Sequence, residues 1–542
     1  MARGRSTVGT TAPVTAGTVE WGTPTARWTL TATVLGSGMA FLDSTVVTVA
    51  LPAIGDDLGA GLSGLQWVVN GYMITLSALI LLSGSLSDRF GRVRLFMAGV
   101  AVFALASVLC TFAPTLEWLV AGRVVQGLGG AMLTPGSLAI LQAGFREQDR
   151  ARAIGAWSGL TGVAGAVGPF VGGWLVQIGD WRLIFLVNVP MAAAVLLIAW
   201  FKVPESRDSG ADQGLDYTGA LLGVLALGGI TYALIQWGAA GTTPAVVAAA
   251  VVGVLSLAAF VLAEARGRHP MLPLGIFSSA SFTVTNAATV LVYGALGPML
   301  FLLVIFLQEV GGYSPVAAGA ASLPITALML LLSARSGKLA ARIGPRPQLV
   351  AGPLLLAGGF LLLSRLEPEA PYLTGVLPGV LLIALGLASA VAPLTATVLA
   401  SAPERHAGLA SGVNNTFARS AQLIGVAAVP VAAGISGGGQ GADGSASAAA
   451  IAQGFGPAML ILAGMCALAA VCALALPRRS ALLAERRMEE EQGQEDGRSS
   501  PEASEPEPPT PPSRFCGATE PPWQSCPGSS AGAGHDAPGG AR

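Results

Sequence analysis

Charge is scarce in this sequence. Lys, Arg, Asp and Glu make up 11% of its 542 residues, against roughly 25% in soluble domains, so water cannot be the solvent for most of the chain. Histidine is scarcer: His269, His406 and His535 are the only three, and all fall in expected loops or the tail. No His-Glu-x-x-His string or nucleophile elbow accompanies them, which leaves a membrane-embedded enzyme as a remote alternative. A Gly-x-x-x-x-Gly-Lys-Ser/Thr phosphate loop is missing, so ATP is not the expected driving force. Five cysteines are scattered, Cys110, Cys466 and Cys472 in apolar runs and Cys516 and Cys526 in a polar stretch. Their spacing suits neither a zinc site nor a disulfide framework. No metal or cofactor is expected, and a net charge of -1 gives no reason to expect a nucleic-acid partner.

What is abundant is apolar: 53% of the residues are hydrophobic, gathered in runs of about twenty, the length that crosses a hydrocarbon core of about 30 Å as a helix. Lipid offers a backbone no hydrogen-bond partners, so such runs must be helical. The fold class expected is all-α integral membrane. Spans begin near Trp28, Leu65, Arg94, Leu116, Ala153, Leu183, Gly219, Pro244, Ser281, Pro315, Gln348, Leu373, Ala407 and Gly456, about fourteen in all. The residues before Trp28 lack the basic-then-apolar order of a cleavable signal, so the first span reads as a retained helix.

Basic residues orient the spans, because short cytoplasmic loops retain Lys and Arg. Alternate loops hold Arg89, Arg92, Arg94, Arg146, Arg150, Arg152, Lys202, Arg335, Lys338 and Arg342, and the other set holds little beyond Arg182 and Arg365. The expectation is a multi-pass protein of the cytoplasmic membrane with both termini inside. The Gly-rich stretch 436–447 reads as a flexible exterior loop. Residues 478–487 form a basic amphipathic stretch suited to anionic headgroups, and from about 489 the composition is that of a disordered tail.

The string GSLSDRFGR at 84–92 has a relative, GKLAARIGP, at 337–345. Each sits between the second and third helices of a block of six. Parallel repeats of this kind build transporters with a substrate site between the halves near the midplane. The expected organisation is a tail over 1–27, a six-helix bundle over 28–202, a linker with an inserted helix pair over 203–270, a second six-helix bundle over 271–477 and a tail over 478–542.

At these residues the chain resembles the major facilitator superfamily, and within it the fourteen-helix drug:proton antiporters. The 84–92 string is similar to that superfamily's loop signature. Further matches are LDSTVVTVALP at 42–52, LVAGRVVQG at 119–127, WRLIFLVNVP at 181–190, and Gly155, Ala164, Gly168, Pro169, Gly172 and Gly173 at the spacing of the antiporter helix. The resemblance covers roughly 28–476. Ala164 stands where the antiporter pattern usually has glycine, and Ala341 replaces the acidic residue of the second loop string.

Asp43 lies deep in an apolar span, where an ionised carboxylate is costly. At 1.5 Å per residue it is about 24 Å along its helix from Trp28, and Arg123, entering from the other face, is about 9 Å below Glu117. The depths agree, so a proton-sensitive Asp43 and Arg123 pair is geometrically open, although contact is not readable from sequence. The competing reading is a structural buried acid satisfied by Thr, Ser or Asn neighbours. Gly84, Asp88, Arg89, Gly91 and Arg92 read either as a gating loop bonded to the opposite half or as a solvated positive-inside loop. The glycine-rich fifth helix reads as leak prevention, as the resemblance implies, or as plain packing. Gln126, Asn414, Asn415 and Arg419 line a cavity or are satisfied structurally, Gln308 and Glu309 are expected to be solvated, and Asp216 and Glu264 to be interfacial.

The resemblance implies export of drugs, antibiotics or secondary metabolites in exchange for protons. The alternative is a proton-coupled importer or facilitator of a small nutrient. Sparse membrane acids point to an amphipathic substrate recognised by apolar packing, cationic if Asp43 touches it. The expected partners are that small molecule, protons and the bilayer, with the chain working as a monomer.

Overall fold

The computed structural model describes residues 17–206, 215–267, 270–401, 407–435 and 448–476. The loop 436–447, the basic stretch 478–487, the tail beyond it, His269, His406 and the first sixteen residues lie outside the described residues.

Among the described residues, thirteen helices are long and apolar enough to cross a membrane. They are α1 Pro24–Leu58, α2 Leu62–Phe90, α3 Arg92–Thr111, α4 Leu116–Gly144, α5 Glu147–Ile178, α6 Leu183–Lys202, α7 Tyr217–Ala240, α8 Pro244–Arg266, α9 Ala280–Glu309, α10 Pro315–Ile343, α11 Arg346–Leu363, α12 Tyr372–Ala400 and α14 Ala448–Ala473. A fourteenth of spanning length, α13 Ala407–Ala432, carries Asn414, Asn415, Arg419 and Gln422 and falls short of the others' apolarity. The fold is therefore helical with about fourteen spans, as the apolar runs required.

Local chemistry sets the helix starts. Thr23, Thr115, Thr243, Ser279 and Ser314 each accept a backbone N–H of the first turn, satisfying a donor that the helix leaves unpaired. Two starts differ from expectation. α5 begins at Glu147 rather than near Ala153, because its charged first turns continue the helix beyond the apolar run. α14 begins at Ala448 rather than near Gly456, since the alanine-rich segment before Gly454 favours helix. The segment ahead of α1 is also not wholly free: Gly17 and Val19 donate to Ala143 O and Gly144 O at 2.8 and 2.9 Å, and Arg146 N donates to Val19 O at 3.1 Å.

Packing repeats with a period of eight helices. In the first block α3 lies on α4, α2 on α4, α1 on α5 and α6, and α3 on α6. The same pairs recur as α11 on α12, α10 on α12, α9 on α13 and α14, and α11 on α14. Paired glycines allow the closest of these approaches. A Cβ on Gly129 of α4 would stand 2.8 Å from Gly99 O on α3, and one on Gly386 of α12 would stand 2.7 Å from Gly352 O on α11. The α7–α8 hairpin stands outside this pattern, with α7 resting on both α2 and α13.

The blocks meet along two seams, α2 with α13 and α5 with α10. A hydrophobic cluster built from both blocks, including Val46, Leu51, Ile54, Leu65, Met299, Phe306 and Phe455, fills the end remote from the basic loops. There Gln66 Nε2 donates to Val426 O at 2.7 Å and Gln308 Nε2 to Val49 O at 3.0 Å. The α5–α10 seam is tight at that end, where a Cβ on Gly173 would meet Pro315 O at 2.5 Å. At the basic end Gly155 and Gly159 of α5 and Gly337 of α10 have open space around them. The α5–α10 seam is thus tight at one end and has open space beside these glycines at the other.

Candidate functional site

Asp43 lies in the middle of α1 and is fully buried. Its Oδ2 accepts from Arg123 NH1 at 2.5 Å, and its Oδ1 accepts from Gln126 Nε2 at 2.9 Å and Asn188 Nδ2 at 3.0 Å. Arg123 and Gln126 are three apart on α4 and so share a face. Arg123 is buried too: Nε donates to Val68 O at 3.1 Å, NH1 also to Gln126 Oε1 at 2.6 Å, and the guanidinium sits 4.5 Å over the Tyr72 ring. Ser107 Oγ closes the network, accepting from Gln126 Nε2 at 3.0 Å. Five helices of the first block converge on one carboxylate, with charge and hydrogen-bonding capacity matched almost completely. The exception is Asn188 Oδ1, which is buried without a partner.

A buried pair held this way is worth little as net stabilisation, because desolvation offsets the attraction, yet removing one partner leaves an uncompensated charge. A proton on either oxygen removes the charge that balances Arg123. The carboxylate is enclosed on all sides in this conformation and presents nothing to a bound cation.

The second half of α5 lies directly against this region. Ala164 touches Gly38 of α1, a Cβ on Gly168 would collide with Thr45, and one on Gly172 would lie 3.0 Å from Val46. On its other side α5 meets α10 through Pro169 against Gly319 and Gly173 against Pro315. A Cβ on Gly155 would meet open space. The helix connects the stretch of α1 carrying Asp43 to the opposite block. Gly173→Val should wedge this contact, since its Cβ would also stand 2.7 Å from Val316 Cα. Overpacking of about 1–3 kcal/mol shifts a two-state balance roughly 5- to 150-fold. The check is the spin-label distance across the α5–α10 seam, and an unchanged distance distribution would deny the contact a gating role.

The loop between α2 and α3 bonds within its own block. Asp88 Oδ1 accepts from Arg92 Nε and NH2 at 3.0 and 2.7 Å, Arg89 lies 5.7 Å over Phe90, and Gly91 turns the chain at φ 105°. Glu205, just past α6, accepts from Val93 N at 3.0 Å and Arg94 N at 3.1 Å and so caps α3. Gly84 has open space beside it. No described bond runs from Asp88, Arg89 or Arg92 to the opposite block.

Of the second-block candidates, Asn414 donates to Asn286 Oδ1 at 3.1 Å and Thr289 Oγ1 at 2.8 Å on α9. Asn415 and Arg419 are partly exposed and make no hydrogen bond among the described residues. Gln308 is half-buried and bridges the blocks, and Glu264, near the end of α8, is buried and accepts from Leu272 N at 2.9 Å. Asp216 caps α7 by accepting from Gly219 N at 2.7 Å, and Glu309 is exposed. Sequence reasoning missed Tyr72, Ser107, Asn188 and Glu205. The only available signal was Asn188 within the 181–190 string.

Comparison with known proteins places the chain in a family and a fold. The methylenomycin A resistance protein of Bacillus subtilis is 37% identical over 403 residues, 72% of this chain and 84% of that protein. The tetracenomycin C resistance and export protein of Streptomyces glaucescens is 35% identical over 408 residues, 74% of this chain and 75% of that one. Among solved structures, a bacterial homolog of the human lysosomal transporter Spinster, inward-facing and occupied, superposes with a TM-score of 0.61 at 17% identity, covering 83% of this chain and 97% of that one. Residues 33–426 match the Major Facilitator Superfamily as a whole, and the chain belongs to that family.

Proposed function

We propose that the protein is a proton-coupled antiporter that exports amphipathic small molecules, drugs, antibiotics or secondary metabolites, across the cytoplasmic membrane by alternating access. The observation that carries this is the enclosed Asp43–Arg123 pair, next to a helix that links its neighbourhood to the opposite block. The resistance and export proteins to which the chain is similar support the direction of transport.

The positive-inside rule puts the basic loops and both termini in the cytoplasm. The conformation is then inward-facing, with Asp43 in the outer half of the bilayer. In the outward-facing state a proton arriving from outside neutralises Asp43 and leaves Arg123 to Gln126 Oε1 and Val68 O. The α1–α5 packing then relaxes, the seam at Gly173 and Gly319 closes, and the protein returns inward-facing, where the proton leaves to the cytoplasm. Substrate bound from the cytoplasm or inner leaflet favours the deprotonated pair and the outward swing that releases it. In the outward-facing state the 84–92 loop would bond to the second block and hold the inner side shut. No cofactor is needed, because the gradient supplies the work, and both blocks lie in one chain, so a monomer suffices.

The test is purified protein in sealed vesicles with an imposed pH gradient and a fluorescent amphipathic dye. Dye should move against the proton flux, and a protonophore should stop it. Dye moving with protons would make the protein an importer, and transport indifferent to the gradient would leave a facilitator.

A further inference from the structure

We propose that the face of α13 bearing Asn415 and Arg419 is a subsite for an ionised acidic group, so that the exported compounds include amphipathic aromatic acids. This rests on the transport reading above and specifies its substrate.

Two arginines lie deep between the helices, and they are treated differently. Arg123 has a carboxylate, an amide oxygen and a carbonyl as acceptors. Arg419 has none: its Nε is covered from solvent without a partner, and it joins no ion pair and donates no hydrogen bond among the described residues. It is some 18 Å along α13 from Ala407 by helical rise, well inside the hydrocarbon depth. An unpaired cation there is costly unless an acceptor arrives.

The acceptor has a prepared place. Asn415 is one turn before Arg419 and therefore on the same face. Its amide is also unpartnered, whereas Asn414, the next position round the helix, is turned onto α9. Across the gap, from the first block, comes Phe41 of α1, with its ring 5.9 Å from the Arg419 guanidinium. Phe41 is 37% exposed on a helix whose neighbouring residues Met39, Ala40 and Asp43 are buried. A guanidinium fork, an amide and an open aromatic face thus stand together between the blocks. The fork accepts a carboxylate through two parallel bonds, and the ring accepts an aromatic body. Asp43, the nearby acid, is enclosed by its own donors, so the opening itself is positive and disfavours a cation.

The test uses three probes of matched apolar area: anthracene carboxylate, its carboxamide and its aminomethyl analogue. Binding is measured on the full chain in nanodiscs, with empty nanodiscs subtracted. The carboxylate should bind about tenfold more tightly than the amide, the value of a charge-assisted bond over a neutral one. Arg419→Gln should bring the carboxylate down to the amide's affinity and leave the amide unchanged, and Arg419→Lys should keep part of the preference. Equal binding of all three by the wild type, tightest binding of the ammonium, or an equal loss of carboxylate and amide in Arg419→Gln would each overturn the subsite. If Arg419→Gln does not fold, the wild-type ranking and Arg419→Lys decide. Because the readout is binding, loss of gradient-driven dye movement with the carboxylate preference intact would sink antiport alone. Intact antiport without that preference would sink the subsite alone.

Discussion

Asp43→Asn is expected to abolish gradient-driven efflux in vesicles while the protein still inserts, folds and exchanges substrate in the absence of a gradient. The amide has the shape of the carboxylate, and its oxygen can still accept one of the three bonds that Asp43 accepts. Arg123 keeps Gln126 Oε1 and Val68 O, and Asn188, whose Oδ1 is unpartnered, can turn that oxygen toward the new NH2. The loss of stability should therefore fall below the roughly 3–5 kcal/mol seen when a buried charge is left wholly unpaired. What the amide cannot do is gain and lose a proton. On the proposed mechanism the two conformers then lose their link to the proton gradient, and net efflux drops to the level of protein-free vesicles while counterflow continues. Efflux at the wild-type rate would remove Asp43 from the coupling.

Most of the architecture was legible because lipid leaves few choices. Runs of about twenty apolar residues must be helices, and the alternation of Arg-bearing loops set the count. Even α13, too polar to pass as apolar, was readable from its place between turn-forming breaks. The site was half legible. Asp43 and Arg123 stood out because charge is rare at that depth, and a depth argument from helical rise matched them. Ser107, Tyr72 and Asn188 did not, since a serine, a tyrosine and an asparagine in membrane helices are ordinary until three-dimensional packing brings them into one network around a carboxylate and its arginine. The same limit explains Gln308 and Glu264. Each sits at a helix end where water is the default partner, and only the docking of Val49 and Leu272 replaces it. The loop signature named Asp88, Arg89 and Arg92 but not their partners, because a gating loop changes partners with the conformer.

Arg123 offers the sharper separation of structure from mechanism. Arg123→Gln alone leaves Asp43 without its cation and takes away the donor to Val68 O and the ring contact with Tyr72. Stability should fall by about 3–5 kcal/mol, read as a lowered melting temperature in detergent, and efflux should cease. Adding Asp43→Asn removes the second charge, so the pocket then holds only neutral amides, which can bond to one another, Ser107 and Asn188. Replacing both members of a buried ion pair is often close to neutral. The double variant should therefore recover most of the lost melting temperature, a coupling larger than the roughly 0.3–0.5 kcal/mol within which independent sites add. Its gradient-driven efflux should stay at background, because recovered packing restores no titratable group. If the double variant transported, the pair would be structural and protons would have to act elsewhere. If it recovered no stability, the two residues would not be partners in the folded protein, and the closed network around Asp43 could not be the element that the gradient moves.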